Sequence, residues 1–217
     1  MQTIPVVNCP DFKCVKKRFA EIKSIGSSWA HIDITDGKFT AVKTWNNPQE
    51  LITNYQLLIS NFKFEVHLMI ENPLASIEDW LKAGAKRIIV HFEAIRGSDN
   101  VFNALLDKCS AYDVELMLAI NPETPAEDLM PYLDLVLFVQ ILAVKPGPAG
   151  QEFNEKVLEK IEFIRERNPD ITIEVDGGIN LETARLVKAA GADIVAAATY
   201  IFNNSNPQRA YEELLRV

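Results

Sequence analysis

The chain holds three histidines, and each lies near the end of an apolar, strand-like run. His31 and Asp33 close the run Ser-Trp-Ala-His-Ile-Asp, His67 sits near the end of Phe-Lys-Phe-Glu-Val-His-Leu-Met, and His91 near the end of Lys-Arg-Ile-Ile-Val-His-Phe. A fourth run, Ile-Thr-Ile-Glu-Val-Asp, ends in Asp176 and is followed by Gly177 and Gly178. On a strand, residues two apart point to the same face, which pairs His31 with Asp33, Glu65 with His67 and Glu174 with Asp176. Ionisable groups inside apolar strands are costly unless they are paired or bound to a metal. Two imidazoles and two carboxylates from separate strand ends form a ligand set for Zn²⁺, Fe²⁺, Mn²⁺ or Co²⁺, with carboxylates placed for proton transfer. The alternative is a set of buried, hydrogen-bonded polar residues with no metal. For any one residue that alternative is the stronger; for His31, Asp33, His67 and Asp176 together the site is.

Such residues need strands that end at a common rim. Apolar runs over 4–8, 29–34, 64–68, 87–92, 115–119, 135–140, 172–175 and 194–197 read as strands, and amphipathic stretches lie between them. One has Phe12, Val15, Phe19, Ile22 and Ile25 at helical spacing, and another has Phe153, Val157, Leu158, Ile161 and Ile164. A third opens on Asn180, a residue suited to an N-cap, and closes on Gly191, suited to a C-terminal stop. Pro207 falls near the first turn of the last helix. Eight strand–helix units of roughly 27 residues each match a (β/α)₈ TIM barrel, whose chemistry sits at the carboxyl ends of the strands. Near-continuous apolarity fits strands buried on both faces. A doubly wound open sheet is the runner-up; it usually carries a glycine-rich turn after the first strand, where this chain has Asn8-Cys9-Pro10-Asp11.

The bulk properties narrow the rest. With 217 residues, 48% of them hydrophobic, and no linker-like segment, the chain reads as one domain spanning residues 1–217. A net charge of −8 and a pI near 5.0 argue against nucleic acid as a partner. Cys9, Cys14 and Cys109 are odd in number and lack CxxC spacing, so no disulfide framework is expected and a reducing, cytoplasmic setting fits. No signal peptide or membrane helix is expected. The Gly/Pro-rich segment Lys145–Gln151 follows the sixth strand and reads as a turn or a lid over the barrel mouth.

The ordered segments HIDITDGKF, VHLMIENP, HFEA, NPETP, PGPAGQEF, IEVDGGIN and GADIVAAATYIF resemble, over essentially the whole chain, the motifs of ribulose-phosphate 3-epimerases. The resemblance implies a (β/α)₈ barrel that interconverts D-ribulose 5-phosphate and D-xylulose 5-phosphate in the pentose phosphate pathway. It implies His31, Asp33, His67 and Asp176 as metal ligands, with Zn²⁺ foremost and Fe²⁺, Mn²⁺ or Co²⁺ also suited. It implies a 1,1-proton transfer at C3 between Asp33 and Asp176 through a metal-stabilised enediolate. Asn8, His67, Met69, Gly147, Gly150, Gly177, Gly178, Ala198 and Thr199 are the implied substrate contacts. The partner is then a phosphorylated ketose, with neither nucleic acid nor membrane, and with room for a homo-oligomer. His91 is read as a wall residue beside Glu93.

Departures from the family pattern cluster on substrate contacts. Val6 stands where the family has a serine, Thr35 and Leu142 where it has methionines, Pro148 and Ala149 where its loop reads Phe-Gly, and Ala198-Thr199 where it has Gly-Ser. Proline has no N–H to offer a phosphate. These changes leave open an epimerase for another phosphorylated ketose, such as D-allulose 6-phosphate, and a non-catalytic metabolite-binding barrel. A barrel decarboxylase or aldol-type synthase on sugar phosphates is disfavoured, because Asp33-Ile34-Thr35-Asp36-Gly37-Lys38 does not follow the Asp-x-Lys-x-x-Asp order of such enzymes.

Overall fold

In the computed structural model, which describes residues 1–59 and 62–217, the chain alternates strands with helices. The strands are β1 Gln2–Val7, β2 Trp29–Thr35, β3 Lys63–Met69, β4 Arg87–His91, β5 Glu115–Ile120, β6 Phe138–Leu142, β7 Thr172–Asp176 and β8 Ile194–Ala197. Consecutive strands are neighbours and the order closes from β8 back to β1, giving the expected closed parallel (β/α)₈ barrel. The helices are α1 Phe12–Ser24, α2 Pro48–Ile59, α3 Pro73–Lys82, α4 Phe92–Ile95, α5 Asp99–Ala111, α6 Val157–Arg167, α7 Leu181–Ala190, α8 Thr199–Phe202 and α9 Pro207–Leu215. Between β5 and β6 only a 3₁₀ turn, Ala126–Leu129, takes the helix's place among the described residues. None of the described helices is long and apolar enough to cross a membrane.

By their contacts the residues form two compact units, Val6–Leu116 and Met1–Pro5 with Met117–Val217. In the first unit β2 pairs with β3 so that His31 faces Glu65 and Asp33 faces His67, and β3 pairs with β4 so that Glu65 faces Arg87. An aromatic group seals its helical layer. Trp45 stacks on Phe12 at 5.5 Å and meets Trp80 edge-on at 5.8 Å, while its indole N–H donates to Glu50 at 2.7 Å. In the second unit Gln140 pairs in register with Glu174 and Leu142 with Asp176. Lys160 on α6 donates to the carbonyls of Asn121 (2.9 Å), Pro122 (2.6 Å) and Thr124, and so ties the turn after β5 to α6.

The end signals read in the sequence act as expected. The Asn180 side chain accepts from the backbone N–H groups of Glu182 and Thr183, Gly191 ends α7 in the left-handed region at φ 112°, and Pro207 lies in the first turn of α9. Two expectations are corrected. The sixth strand runs over Phe138–Leu142, three residues later than the apolar run suggests. Leu135 and Leu137 are 52% and 72% exposed; Leu135 and Val136 still donate their N–H groups back to the Tyr132 carbonyl in a turn. The second correction is a Cys9–Cys14 disulfide. The cap of α1 by Asp11, whose side chain accepts from the Cys14 N–H at 2.8 Å, folds residues 9–14 back so that the two thiols meet. Cys109 is free and buried.

Candidate metal and catalytic site

Asp33 is the centre of the first unit's polar cluster. One of its oxygens, Oδ1, lies 3.2 Å from His31 Nε2 and 3.3 Å from His67 Nδ1. The other, Oδ2, accepts from the Asn8 amide at 2.9 Å, so this implied substrate contact holds the carboxylate. The strand beneath is fixed by Thr44, whose hydroxyl donates to the Asp33 carbonyl at 2.9 Å and accepts from the Thr35 N–H at 2.9 Å.

The far nitrogen of each ring is engaged from behind. His31 Nδ1 lies 2.7 Å from Glu65 Oε1, and Glu65 Oε2 accepts from Arg87 Nη1 at 2.7 Å. His67 Nε2 lies 2.9 Å from His91 Nε2, and His91 Nδ1 lies 3.1 Å from Glu93. His91 also packs against the Phe39 ring at 4.8 Å. It therefore stands behind His67 as well as beside Glu93; the sequence pointed only to the neighbourhood of Glu93. The near nitrogens, His31 Nε2 and His67 Nδ1, are left turned toward Asp33. One donor atom each from His31, Asp33 and His67 fall within 4.8 Å of one another. Two imidazole nitrogens and a carboxylate oxygen converging from adjacent strands are a donor set that fits a divalent metal, with the outer nitrogens held as metal-ligating histidines normally are.

The electrostatics are those of a site ready to take a cation. Burial opposes ionisation of Asp33, but hydrogen bonds and charge from His31 and His67 outweigh it and hold the carboxyl well below the usual range. Burial pulls His67 down to about 4, against the opposing pull of Asp33, so this imidazole is neutral and ligand-ready at neutral pH. Burial works against the charged form of His31 too, yet hydrogen bonds to Asp33 and Glu65 raise it well above 6.5. Met69 is buried at the end of β3, in register with Thr35.

In the second unit Asp176 ends β7, half-buried, and its carbonyl accepts from the Ala143 N–H at 2.7 Å. Gly177 and Gly178 follow with φ of 102° and 66°. A Cβ on Gly177 would lie 2.5 Å from a Val144 methyl, and one on Gly178 would lie 2.7 Å from Phe153 Cα. Both glycines thus have a packing reason independent of any ligand. The segment from Lys145 to Gln151 is tied into a ring by the Gln151 amide, which donates to the carbonyls of Lys145 (2.7 Å) and Pro148 (2.9 Å). Gly147 and Gly150 sit in that ring with φ of 139° and 85°, and a Cβ on Gly150 would lie 3.6 Å from Thr199 Cγ2. Ala198 stands immediately before α8, which begins at Thr199. Gly150 and Thr199, far apart in sequence, are thus neighbours.

Two features escaped the sequence reading. Arg87 opens β4 in what looks like an apolar run, and only the strand register reveals it as the partner of Glu65. Asp36 organises the turn after β2: Oδ1 accepts from the N–H groups of Lys38 (2.8 Å) and Phe39 (2.9 Å), and Oδ2 from that of Glu71 (2.9 Å). An Asp-Gly pair after a strand is a turn signal, but its reach to Glu71 is tertiary.

A family model described as the ribulose-phosphate 3 epimerase family matches residues 4–202. The chain belongs to this family. Epimerase relatives agree over nearly its whole length. The ribulose-phosphate 3-epimerase of Chlamydia trachomatis serovar D is 34% identical over 93% of this chain and 86% of its own, and that of Bacillus subtilis 168 is 30% identical over 99% and 98%. The family is one of carbohydrate isomerases. Among solved structures, 3-hexulose-6-phosphate synthase of Salmonella typhimurium covers 100% of this chain and 97% of its own with a TM-score of 0.73 at 10% identity, a likeness of fold alone.

Proposed function

We propose that this protein is a metal-dependent ketose-phosphate 3-epimerase, acting on D-ribulose 5-phosphate and D-xylulose 5-phosphate. The observation that carries the reading is the convergence of His31 Nε2, His67 Nδ1 and Asp33 Oδ1 in a chain of the ribulose-phosphate 3-epimerase family. Asp176, at the carboxyl end of β7, completes the set with a second carboxylate. The reading takes residues 1–217 as one barrel domain.

A divalent metal, Zn²⁺ first among the candidates, would act there as a Lewis acid on the oxygen that gains charge as C3 loses its proton. The chain's own residues do the rest. Asp33, kept ionised by its two histidines, takes the C3 proton from one face. Asp176 returns a proton on the other face, which inverts the centre; the reverse reaction exchanges their roles. Asn8 holds the Asp33 carboxylate at the angle its hydrogen bond sets. Met69 lends an apolar wall that excludes water. Gly147, Gly150, Gly177, Gly178, Ala198 and Thr199 form the rim that receives the phosphate.

A second substrate is favoured by specific residues. Pro148 cannot donate an N–H, Ala198 adds a methyl, and Val6 lacks a hydroxyl, so another phosphorylated ketose such as D-allulose 6-phosphate belongs in the same assay. The test is C3 proton exchange in D₂O with metal-replete protein, over pentulose and hexulose phosphates. Exchange with ribulose 5-phosphate that is lost in Asp176→Asn is the expected result. Absence of exchange with every ketose phosphate overturns the reading, and full activity of Asp176→Asn removes that residue from proton transfer.

A further inference from the structure

His31, Glu65 and Arg87 lie on three adjacent strands at one register level, each the Cα partner of the next. The side chains of the first two are fully buried and that of Arg87 is 4% exposed. Arg87 is braced on its outer side by Glu115, 3.0 Å away, and by the Trp29 ring, 5.1 Å from its guanidinium carbon. Such a pair is a poor device for stability. Taking both charges out of water costs about what their attraction returns, and well-packed apolar residues of the same volume often do as well or better. What the pair does accomplish is directional. With Arg87 Nη1 donating to Glu65 Oε2 at 2.7 Å, Oε1 meets His31 Nδ1 at 2.7 Å as an acceptor, which places a proton on Nδ1 and leaves Nε2 to face Asp33.

We infer that Glu65 and Arg87 are positioning residues for His31: Arg87 aims Glu65 by donating to its Oε2, and Glu65 Oε1 takes the Nδ1–H of His31 so that Nε2 is presented to a divalent metal. This rests on the reading of His31 as a metal ligand. His67 has an imidazole, that of His91, in the corresponding place, so the two rings are backed by different chemistry. The carboxylate-backed His31 is the more basic donor and the one whose loss weakens the site most. Carboxylates behind metal-bound histidines typically contribute about 10–100-fold in affinity.

The test uses Zn²⁺ alone, with no substrate. In the unaltered zinc-loaded protein, ¹⁵N spectra of the imidazoles should show His31 with its proton on Nδ1 and zinc on Nε2; the reverse assignment overturns the inference without any variant. Zinc dissociation constants by chelator competition then compare the wild type with Glu65→Gln and with the double change Glu65→Leu/Arg87→Leu. Both variants should bind roughly 10–100-fold more weakly. Wild-type zinc affinity in either folded variant overturns the inference while leaving the metal-dependent epimerase reading standing. A wild type that binds no zinc removes both. Should the double variant not fold, Glu65→Gln and the spectra of the unaltered protein decide.

Discussion

Replacing Gly178 with alanine asks one backbone position to do two forbidden things. Its φ of 66° lies in the left-handed region, and the new methyl would come within 2.7 Å of Phe153 Cα and 2.8 Å of Phe153 N. The conformational part costs an L-residue about 1–2 kcal/mol. The steric part falls on backbone atoms that cannot swing aside as a side chain can, and forced overpacking of this kind costs about 1–3 kcal/mol. The total is roughly 2–5 kcal/mol by adding these two ranges. Gly26→Ala supplies the calibration, since Gly26 has φ of 77° with nothing within 4 Å of the added Cβ, and so carries the conformational part alone. Gly177→Ala should fall between them, because its closest contacts are the methyls of Val144, which can rotate. The assay is thermal unfolding of the metal-free proteins by far-ultraviolet circular dichroism, where a chain of this size loses about 2–4 °C per kcal/mol. A Gly178→Ala protein that melts with Gly26→Ala, or above it, refutes the reasoning. It would leave phosphate binding as the sole reason for glycine at that position.

Two further outcomes follow from ionisation and thiol chemistry. His31 is raised well above 6.5 in the folded metal-free protein despite its burial, so its contribution to stability is complete below about pH 6.5 and lost as pH rises through the folded-state value. Near pH 6–7 this loss is offset by His67, whose value of about 4 makes its contribution rise with pH, so urea midpoints of the chelator-treated protein should fall from about pH 7 to pH 9, and a midpoint that rises across that range contradicts the His31–Glu65–Asp33 arrangement. Burial pushes the Cys109 thiol up to about 12, and Cys9 is joined to Cys14. A thiol reagent should then find none in the native protein, one after denaturation without reductant and three after reduction, and a count of three before reduction rules out the disulfide.

The barrel was legible because each strand is a short apolar run and several helices carry their own end signals; Asn180, Gly191 and Pro207 needed no tertiary information to act. The candidate ligands were legible for a local reason as well. A charged residue at the end of an apolar strand is out of place unless something uses it, and a spacing of two sets the shared face. The partners behind the ligands were not legible, because they depend on register between strands. Arg87 meets Glu65 only once β3 and β4 are aligned, and His91 meets His67 across the same pair of strands. The sixth strand was misplaced because Leu135 and Leu137 carry the hydrophobicity of a strand while lying in an exposed turn. The disulfide was missed because parity and motif spacing say nothing about a helix cap that folds Cys14 back over Cys9.

Trp29, Trp45 and Trp80 account for every tryptophan in the chain, and all of them lie in the unit Val6–Leu116. Tryptophan emission, excited selectively over the tyrosines, is therefore a private signal of that half, while backbone dichroism reports both halves at once. Superimposable transitions by the two probes would mean that the half holding His31, Asp33 and His67 melts together with the half holding Asp176. An emission change that runs ahead of the dichroism would show two separately cooperative blocks, and would make the lifetime of the His31–Asp33–His67 cluster on β2 and β3 independent of the strand that carries Asp176.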